Sequence, residues 1–466
     1  MNTPSESHPA THGPLRVHPD NPRYFAAADG RALLLTGSHT WANWVEHKRS
    51  DDEPDFDYPA YLDFMVAHNH NFMRFWGWEH ARWATWDGSG SFRIRPLPYA
   101  RTGPGTALDG WPKFDLDRFD PEYFERLRTR VAEAGRRGIY AAVKLFDGFS
   151  VGFKGPRPDP ERWVPERNPY RGHPFNAANN INGIDGDPEG TGEGKAIHTL
   201  RDPAITARHE AYAAKVIDTV NDLDNVLYEI CNESDRMPET IEWQYHMIEY
   251  IRQYEAGKRH RHPVGMTVPY PGENAPLFAG PADWISPNAS ESEPYRDDPP
   301  PADSSKVIIS DTDHLWGHGG ELAWVWKSFT RGLHVILMDP WEPLQGSDLH
   351  DNNFRDHPTW EPIRRAMGHV RGFAERMNLA ACTPRPELAS TRYALAEPGR
   401  ECLVYQPQQG AFDVDLTEWQ GTVSAEWFHP HSAESTPAVP VKAGTQVRFE
   451  APFQGDAVLF IRAEST

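Results

Sequence analysis

Cysteine is scarce: Cys231, Cys382 and Cys402 are three in 466 residues, odd in number and far apart. That argues against a disulfide framework, and without a CxxC pair nothing suggests a structural zinc site. No apolar stretch approaches the roughly 20 residues that cross a bilayer. Bases are outnumbered, 47 Lys and Arg against 67 Asp and Glu, for a net charge of −20. So acidic a chain, with no basic run, repels phosphate backbones, which argues against nucleic-acid binding. There is no G-x-G-x-x-G after a strand and no G-x-x-x-x-G-K-[ST], so no cofactor of the nucleotide kind is implied. The opening MNTPSESHPATHG has neither the basic start nor the apolar run of a signal peptide. If Met1 is the native start, the expected location is the cytoplasm. Oligomeric state is not legible.

Aromatic residues are plentiful, with 17 Trp, 22 Phe and 16 Tyr, and 43 Pro and 36 Gly mark many loops. Such a chain has ample surface to bury, so only residues 1–13 read as a disordered tail. Residues 14–30 read as a hairpin. From about 31 to 380, short apolar runs alternate with amphipathic segments, the pattern of βαβ units. Eight runs stand out: RALLLTGS (31–38), NFMRFWG (71–77), GIYAAVKLFD (138–147), NVLYEICNE (225–233), PVGMTV (263–268), DWISPN (283–288), KVIISD (306–311) and HVILMDP (334–340). Eight strands in such a length predict an α/β fold, a (β/α)₈ TIM barrel with insertions, over residues 14–382. Helices are predicted over 203–221, with Asp202 as N-cap and Pro203 at the first turn, over 238–256 and over 359–379. None is predicted after the fifth and sixth strands.

Residues 383–466 change character. TRYALA, CLVYQ, AFDVDL, TVSAEWF, QVRFE and AVLFIR recur between Gly/Pro turns, predicting an antiparallel β-sandwich. Its expected role is to buttress the barrel, with sugar binding the lesser alternative. Two insertions, 77–118 and 148–201, follow strands two and three. They carry Trp78, Trp83, Trp86, Phe92 and Trp111, and Trp163, Tyr170, His173 and Phe175. Both leave the C-terminal ends of strands, where barrel active sites lie. They are expected to shape a site for sugar rings, whose C–H faces stack on aromatic surfaces; the alternative is that they only shield the mouth.

Strand four ends in Asn232-Glu233 and strand seven in Ser310-Asp311-Thr312-Asp313-His314. Acids at these two ends would meet across the barrel mouth, as two-carboxylate glycoside hydrolysis requires. These motifs resemble those of the clan A retaining glycoside hydrolases, the cellulase-like barrels. The resemblance implies Glu233 as acid/base, Asp311 as nucleophile after its apolar run, Arg74 steadying that nucleophile, Asn232 on the sugar 2-OH, and Trp341 in the sugar site. The layout is also similar to apiosidase-like barrels, whose terminal sandwich is often labelled collagen-binding. The chain departs from the clan by offering Asp where the nucleophile is usually Glu. That leaves Asp313 as an alternative nucleophile and inversion as an alternative outcome.

Further polar and aromatic groups at strand ends are expected to contact the carbohydrate substrate: His39, Trp76, Asp147, Asp313, His314 and Trp316. Glu229, mid-strand, reads as a buried structural acid with Lys144 as its partner. The predicted activity is therefore glycosidic-bond hydrolysis, exo-acting on a small glycoside or oligosaccharide. Two alternatives stand beside it. One is a metal-dependent hydrolase built on His39, Asp147, Asp313 and His314, although no His-x-His pair or HExxH is present. The other is a non-catalytic sugar-binding barrel.

Overall fold

Each of the eight apolar runs forms a strand of one closed parallel barrel. They are β1 (Thr36–His39), β2 (Phe72–Phe75), β3 (Tyr140–Asp147), β4 (Val226–Asn232), β5 (Val264–Thr267), β6 (Trp284–Ser286), β7 (Val307–Asp311) and β8 (His334–Met338). Neighbours in sequence are neighbours in the barrel, and β8 closes it by pairing Val335 with Thr36 through to Met338 with His39. The computed structural model describes residues 13–84, 91–152, 167–341 and 358–464. Every barrel strand is buried along its whole length, which is why the runs read as continuously apolar rather than alternating.

Inward positions repeat every second residue, and their chemistry changes along the strand. At the lower end Leu35, Phe72, Ala142, Leu227, Ile309 and Ile336 form one apolar cluster with Trp284, sealed by Leu15 and Phe25. These last two belong to a small N-terminal layer whose strands are Arg16–Val17, Phe25–Ala26 and Ala32–Leu33. Two residues further up from Phe72, Ala142, Leu227 and Ile309 stand Arg74, Lys144, Glu229 and Asp311, all buried. The charged floor of the mouth thus follows from strand period alone.

The helices are α1 (Tyr58–Ala67), α2 (Pro121–Arg136), α3 (Pro203–Val220), α4 (Pro238–Glu255), α5 (Ala275–Ala279), α6 (Thr312–Leu315), α7 (Leu322–Thr330) and α8 (Glu361–Arg376). Asp202 caps α3 by accepting from the Ala204 N–H, with Pro203 in the first turn, as predicted. The three helices read from sequence match within a few residues. The connection after β5 does hold a helix, the five-residue α5, too short to show a periodic stripe.

Beyond α8 lies a six-stranded antiparallel sheet facing a two-stranded one, Phe412–Asp415 with Gln446–Phe449. Ala396, Val404, Leu459, Ile461, Phe412, Val414 and Phe449 pack between the layers. The outer face of the larger sheet is covered by the barrel: Trp326 of α7 stacks on Tyr405, and Phe373 of α8 meets Phe428 and Phe460 edge-on. That face is therefore packed against the barrel's last two helices.

The first insertion folds into two small sheets. Arg82–Ala84 and Ser91–Arg95 join Glu46–Lys48, and Tyr99–Thr106 pairs with Pro112–Phe119. Trp78, Phe92, Tyr170, His173 and Phe175 are all buried, Trp78 against Trp41 and Trp76 and Phe92 against His47, whereas Trp111 is exposed. Trp86 and Trp163 lie outside the described residues, as does the Trp83 side chain.

Candidate active site

Arg74 organises the mouth. Its side chain is 1% exposed. Nε and Nη2 fork onto Glu229 at 2.8 and 2.5 Å, Nη2 also donates to Asn232 Oδ1 at 2.6 Å, and Nη1 donates to Asp311 Oδ2 at 2.7 Å. A longer contact, 3.4 Å, joins Nη1 to Asp313 Oδ2. One guanidinium therefore spans the ends of β4 and β7, the two strands singled out by sequence. Burial alone would lower the Arg74 pKa; the carboxylates of Glu229, Asp311 and Asp313 more than reverse that and raise it. The sequence-based pairing of Glu229 with Lys144 is not what forms. Glu229 takes the Arg74 fork, and Lys144 instead donates to Asp147 at 2.8 Å. Planar, two-pronged recognition favours the arginine.

Asp311 is wholly buried, and both of its oxygens are engaged. Oδ1 accepts from the Asp313 backbone N–H at 2.9 Å, which caps α6, and His39 Nε2 lies 3.3 Å away. Burial alone would push its carboxyl up; His39 and Arg74 beside it hold it well below the usual carboxylate range. Asp313 sits in the first turn of α6 rather than on an extended strand, so strand alternation does not govern where it points. Its side chain keeps 11% exposure.

His314 donates from Nε2 to Asn232 Oδ1 at 3.1 Å while its Nδ1 accepts from Ser286 at 2.9 Å. Burial lowers its pKa, in keeping with a neutral ring. With Arg74 and His314 both donating to Oδ1, the Asn232 amide must turn its NH₂ the other way. Ser286, at the end of β6, was missed by sequence reasoning, although its place at a strand's C-terminal end was the available signal.

Glu233 follows Asn232 in a turn with φ of +44°, a left-handed conformation rare for glutamate. Such strain gathers at functional sites. Gly148, just beyond β3, makes the turn possible: a Cβ there would lie 2.1 Å from the Glu233 carbonyl oxygen. Glu233 is half-buried.

The remaining expected contacts divide. His39 is buried, stacked on Trp76 at 4.6 Å. Trp76 is 2% exposed, with Lys144 Nζ 3.5 Å from its ring centre. Asp147 is buried, held by Lys144 and by Ser150 at 3.1 Å; burial drives the Asp147 pKa up and the Lys144 pKa down, against their mutual attraction. Trp341 is 2% exposed and packs edge-on against Phe56 and Tyr61. Trp316 is half-buried, as are Trp41 and His318, which pack against one another 5.8 Å apart. Sequence reasoning passed over both of the latter. Glu79, also unforeseen, accepts from the Asp147 N–H at 2.6 Å and meets His198 and His173 at 3.0 and 3.4 Å, tying the second insertion to the rim.

His39, Asp311 and Asp313 bring ligand-type atoms within 4.8 Å of one another. The set does not suit a metal ion, because the Arg74 guanidinium already contacts both carboxylates and would repel a second cation. Asp147, part of the metal alternative, is committed to Lys144. Among the described residues no helix is long and apolar enough to cross a membrane.

No family model matches the sequence, and no curated protein matches it. Solved structures match in three dimensions. A glycoside hydrolase of family 5 from Bacteroides vulgatus superposes with a TM-score of 0.61 at 12% identity, over 97% of this chain and 93% of that one. A second glycoside hydrolase gives 0.57 at 12% identity, over 97% and 98%. The architecture of this chain, barrel and appended sheets together, is thus the one found in these two glycoside hydrolase structures.

Proposed function

We propose that the protein hydrolyses a glycosidic bond with net retention, acting at the end of a small glycoside or oligosaccharide. The observation that carries this reading is the Arg74 network, which locks Asn232 and the β7 acids into one buried lattice beneath the strained Glu233 turn. Glu233 protonates the leaving oxygen and later takes a proton from water. A carboxylate at the end of β7, where the apolar run marks Asp311 and where Asp313 also meets Arg74, attacks the anomeric carbon. The Asn232 NH₂, turned from Arg74, donates to the sugar 2-OH. Trp316 and Trp41 offer partly open rings for stacking, while His39, Trp76, Asp147, His314 and Trp341 act from within by fixing the groups that touch sugar. The two insertions leave the ends of the adjacent strands β2 and β3, and Glu79 ties the second of them to Asp147, which favours a terminal sugar over a mid-chain one. The fold shared with family 5 glycoside hydrolases supports the same chemistry.

A panel of 4-nitrophenyl glycosides of common hexoses and pentoses tests this reading, with NMR of the first-formed anomer. Cleavage with retention is expected. Tight oligosaccharide binding without turnover would establish the non-catalytic alternative instead.

A further inference from the structure

The two aspartates at the end of β7 are not equivalent. Asp311 is at the position the apolar run marks, yet its side chain is 0% exposed. Oδ2 is taken by Arg74 at 2.7 Å, and Oδ1 by the N–H of Asp313 at 2.9 Å, with His39 3.3 Å from both. Aspartate is among the best helix-capping residues because its short arm folds back on the backbone two residues ahead. That accounts for Asp rather than Glu here: a carboxylate bent back to cap α6 is turned from anything arriving at the mouth. Asp313, in the first turn of α6, has the open side chain. Its Oδ2 lies 3.4 Å from Arg74 and 3.8 Å from His314 Nε2, and its Oδ1 has no hydrogen bond among the described residues.

Resting on the hydrolase reading above, we propose that Asp313 is the carboxylate that attacks the sugar, and that Asp311 is a positioning residue that fixes Arg74 and the Asp313 backbone. In the first step an Asp313 oxygen bonds to C1 as the C1–O bond to the leaving group breaks, and the departing leaving-group oxygen takes the Glu233 proton. In the second, water bonds to C1, gives its proton to Glu233, and the bond from C1 to Asp313 breaks. Arg74 touches both aspartates through one nitrogen, so its charge stays with Asp313 as the ester forms and dissolves.

The test uses the full chain and the glycoside it cleaves fastest in the panel. The matching 2,4-dinitrophenyl 2-deoxy-2-fluoroglycoside slows breakdown of the covalent intermediate, and fragment mass spectra locate the sugar. An adduct on Asp313 is expected; one on Asp311 overturns the assignment. Asp313→Gly should lose activity by on the order of 10³-fold or more and regain it with sodium azide, forming a glycosyl azide of inverted configuration. Asp311→Asn keeps one acceptor oxygen, enough for the cap or for Arg74 but not for both, and should retain measurable turnover that azide does not raise. Azide rescue of Asp311→Gly, with none for Asp313→Gly, would also overturn it. Cleavage by the wild type with inversion would remove the covalent step and this proposal while leaving glycoside hydrolysis standing. No cleavage of any panel member and no labelling would remove both.

Discussion

Replacing Arg74 by Met keeps a long side chain in place but removes the charge that three carboxylates share. Glu229 and Asp311 are both 0% exposed and would be left facing each other with no fixed cation on Asp311. Removing one partner of a buried ion pair costs about 3–5 kcal/mol. The protein has one escape, which is to take up a proton. Holding an ordinary carboxyl, with a pKa near 4, protonated at pH 7 costs about 4 kcal/mol, and at pH 5 only about 1.4 kcal/mol. The variant should therefore lose about 4 kcal/mol at pH 7 and recover roughly 1.4 kcal/mol per pH unit on acidification, the slope of one proton bound by the folded state alone. The sign follows from linkage. An acid whose folded pKa is raised weakens the fold above its unfolded pKa, so the penalty shrinks as pH falls. In the wild type Asp311 is held far below its usual range, so its own contribution is constant from pH 5 to 8. Urea melts of both proteins at pH 5, 6, 7 and 8 give the difference directly. A loss under about 1 kcal/mol at pH 7, or the same loss at pH 5 and pH 7, would refute the view that Arg74 is the keystone of a buried charge lattice.

Three other outcomes follow from the same geometry. Glu233→Gly removes the acid but relieves a left-handed φ; turnover should disappear while the melting temperature holds or rises, and a clear drop in melting temperature would speak against stored strain. Gly148→Ala puts a methyl 2.1 Å from the Glu233 carbonyl oxygen, so the turn must move; kcat should fall on the order of 10²-fold, and unchanged kcat would uncouple this turn from catalysis. His47, His70 and His209 are held down to about 3 by burial. Their folded values lie below the unfolded one, so stability is full above about pH 6.5 and is lost as pH falls toward 3, with about 2 kcal/mol per group gone between pH 7 and 5. His70→Gln, which can still donate to the Arg364 carbonyl, should abolish one such share; an unaltered acid slope in urea melts would rule His70 out as a contributor.

All eight strands were legible because barrel strands are buried on both sides and stand between polar loops. Position marks the candidate site: Arg74, Asn232, Glu233 and the β7 aspartates lie where strands end, and Arg74 binds Asn232, Asp311 and Asp313. Two things were not legible. One is partner choice inside the lattice. Glu229 lies beside Lys144 in register on β3 and β4, yet it takes the Arg74 fork from β2, because two parallel hydrogen bonds outweigh adjacency. The other is burial at strand ends. His39, Asp147 and Trp341 carry residue types that suit sugar contact, but each is buried against neighbours: His39 on Trp76 and Asp311, Asp147 on Lys144 and Ser150, Trp341 on Phe56 and Tyr61. A Trp in sequence does not show how open its ring will be: Trp341 is buried, whereas Trp316 and Trp41 are half-buried.

The charge balance of the lattice bears on why a barrel mouth should bury so many ions. Glu229, Asp311, Asp313 and Asp147 are four carboxylates against two fixed cations, Arg74 and Lys144. Desolvation makes such a set expensive, and a purely structural need would be met more cheaply by apolar residues of like volume. In the hydrolysis proposed above, the negative excess acts on positive charge that develops over it. At about 6 Å and an effective dielectric near 20, one excess unit charge stabilises a forming cation by about 2.8 kcal/mol, roughly 10²-fold in rate. An oxocarbenium-like sugar is such a cation, and the dipoles that favour it are already in place before it forms. A neutral ground-state glycoside gains little from the same field. The lattice would therefore act on the barrier rather than on binding, so that Glu229→Gln, which removes one unit of the negative excess and keeps one acceptor for Arg74, should leave KM nearly unchanged and lower kcat by roughly 10²-fold. A change confined to KM would show instead that the buried charges serve recognition of the sugar.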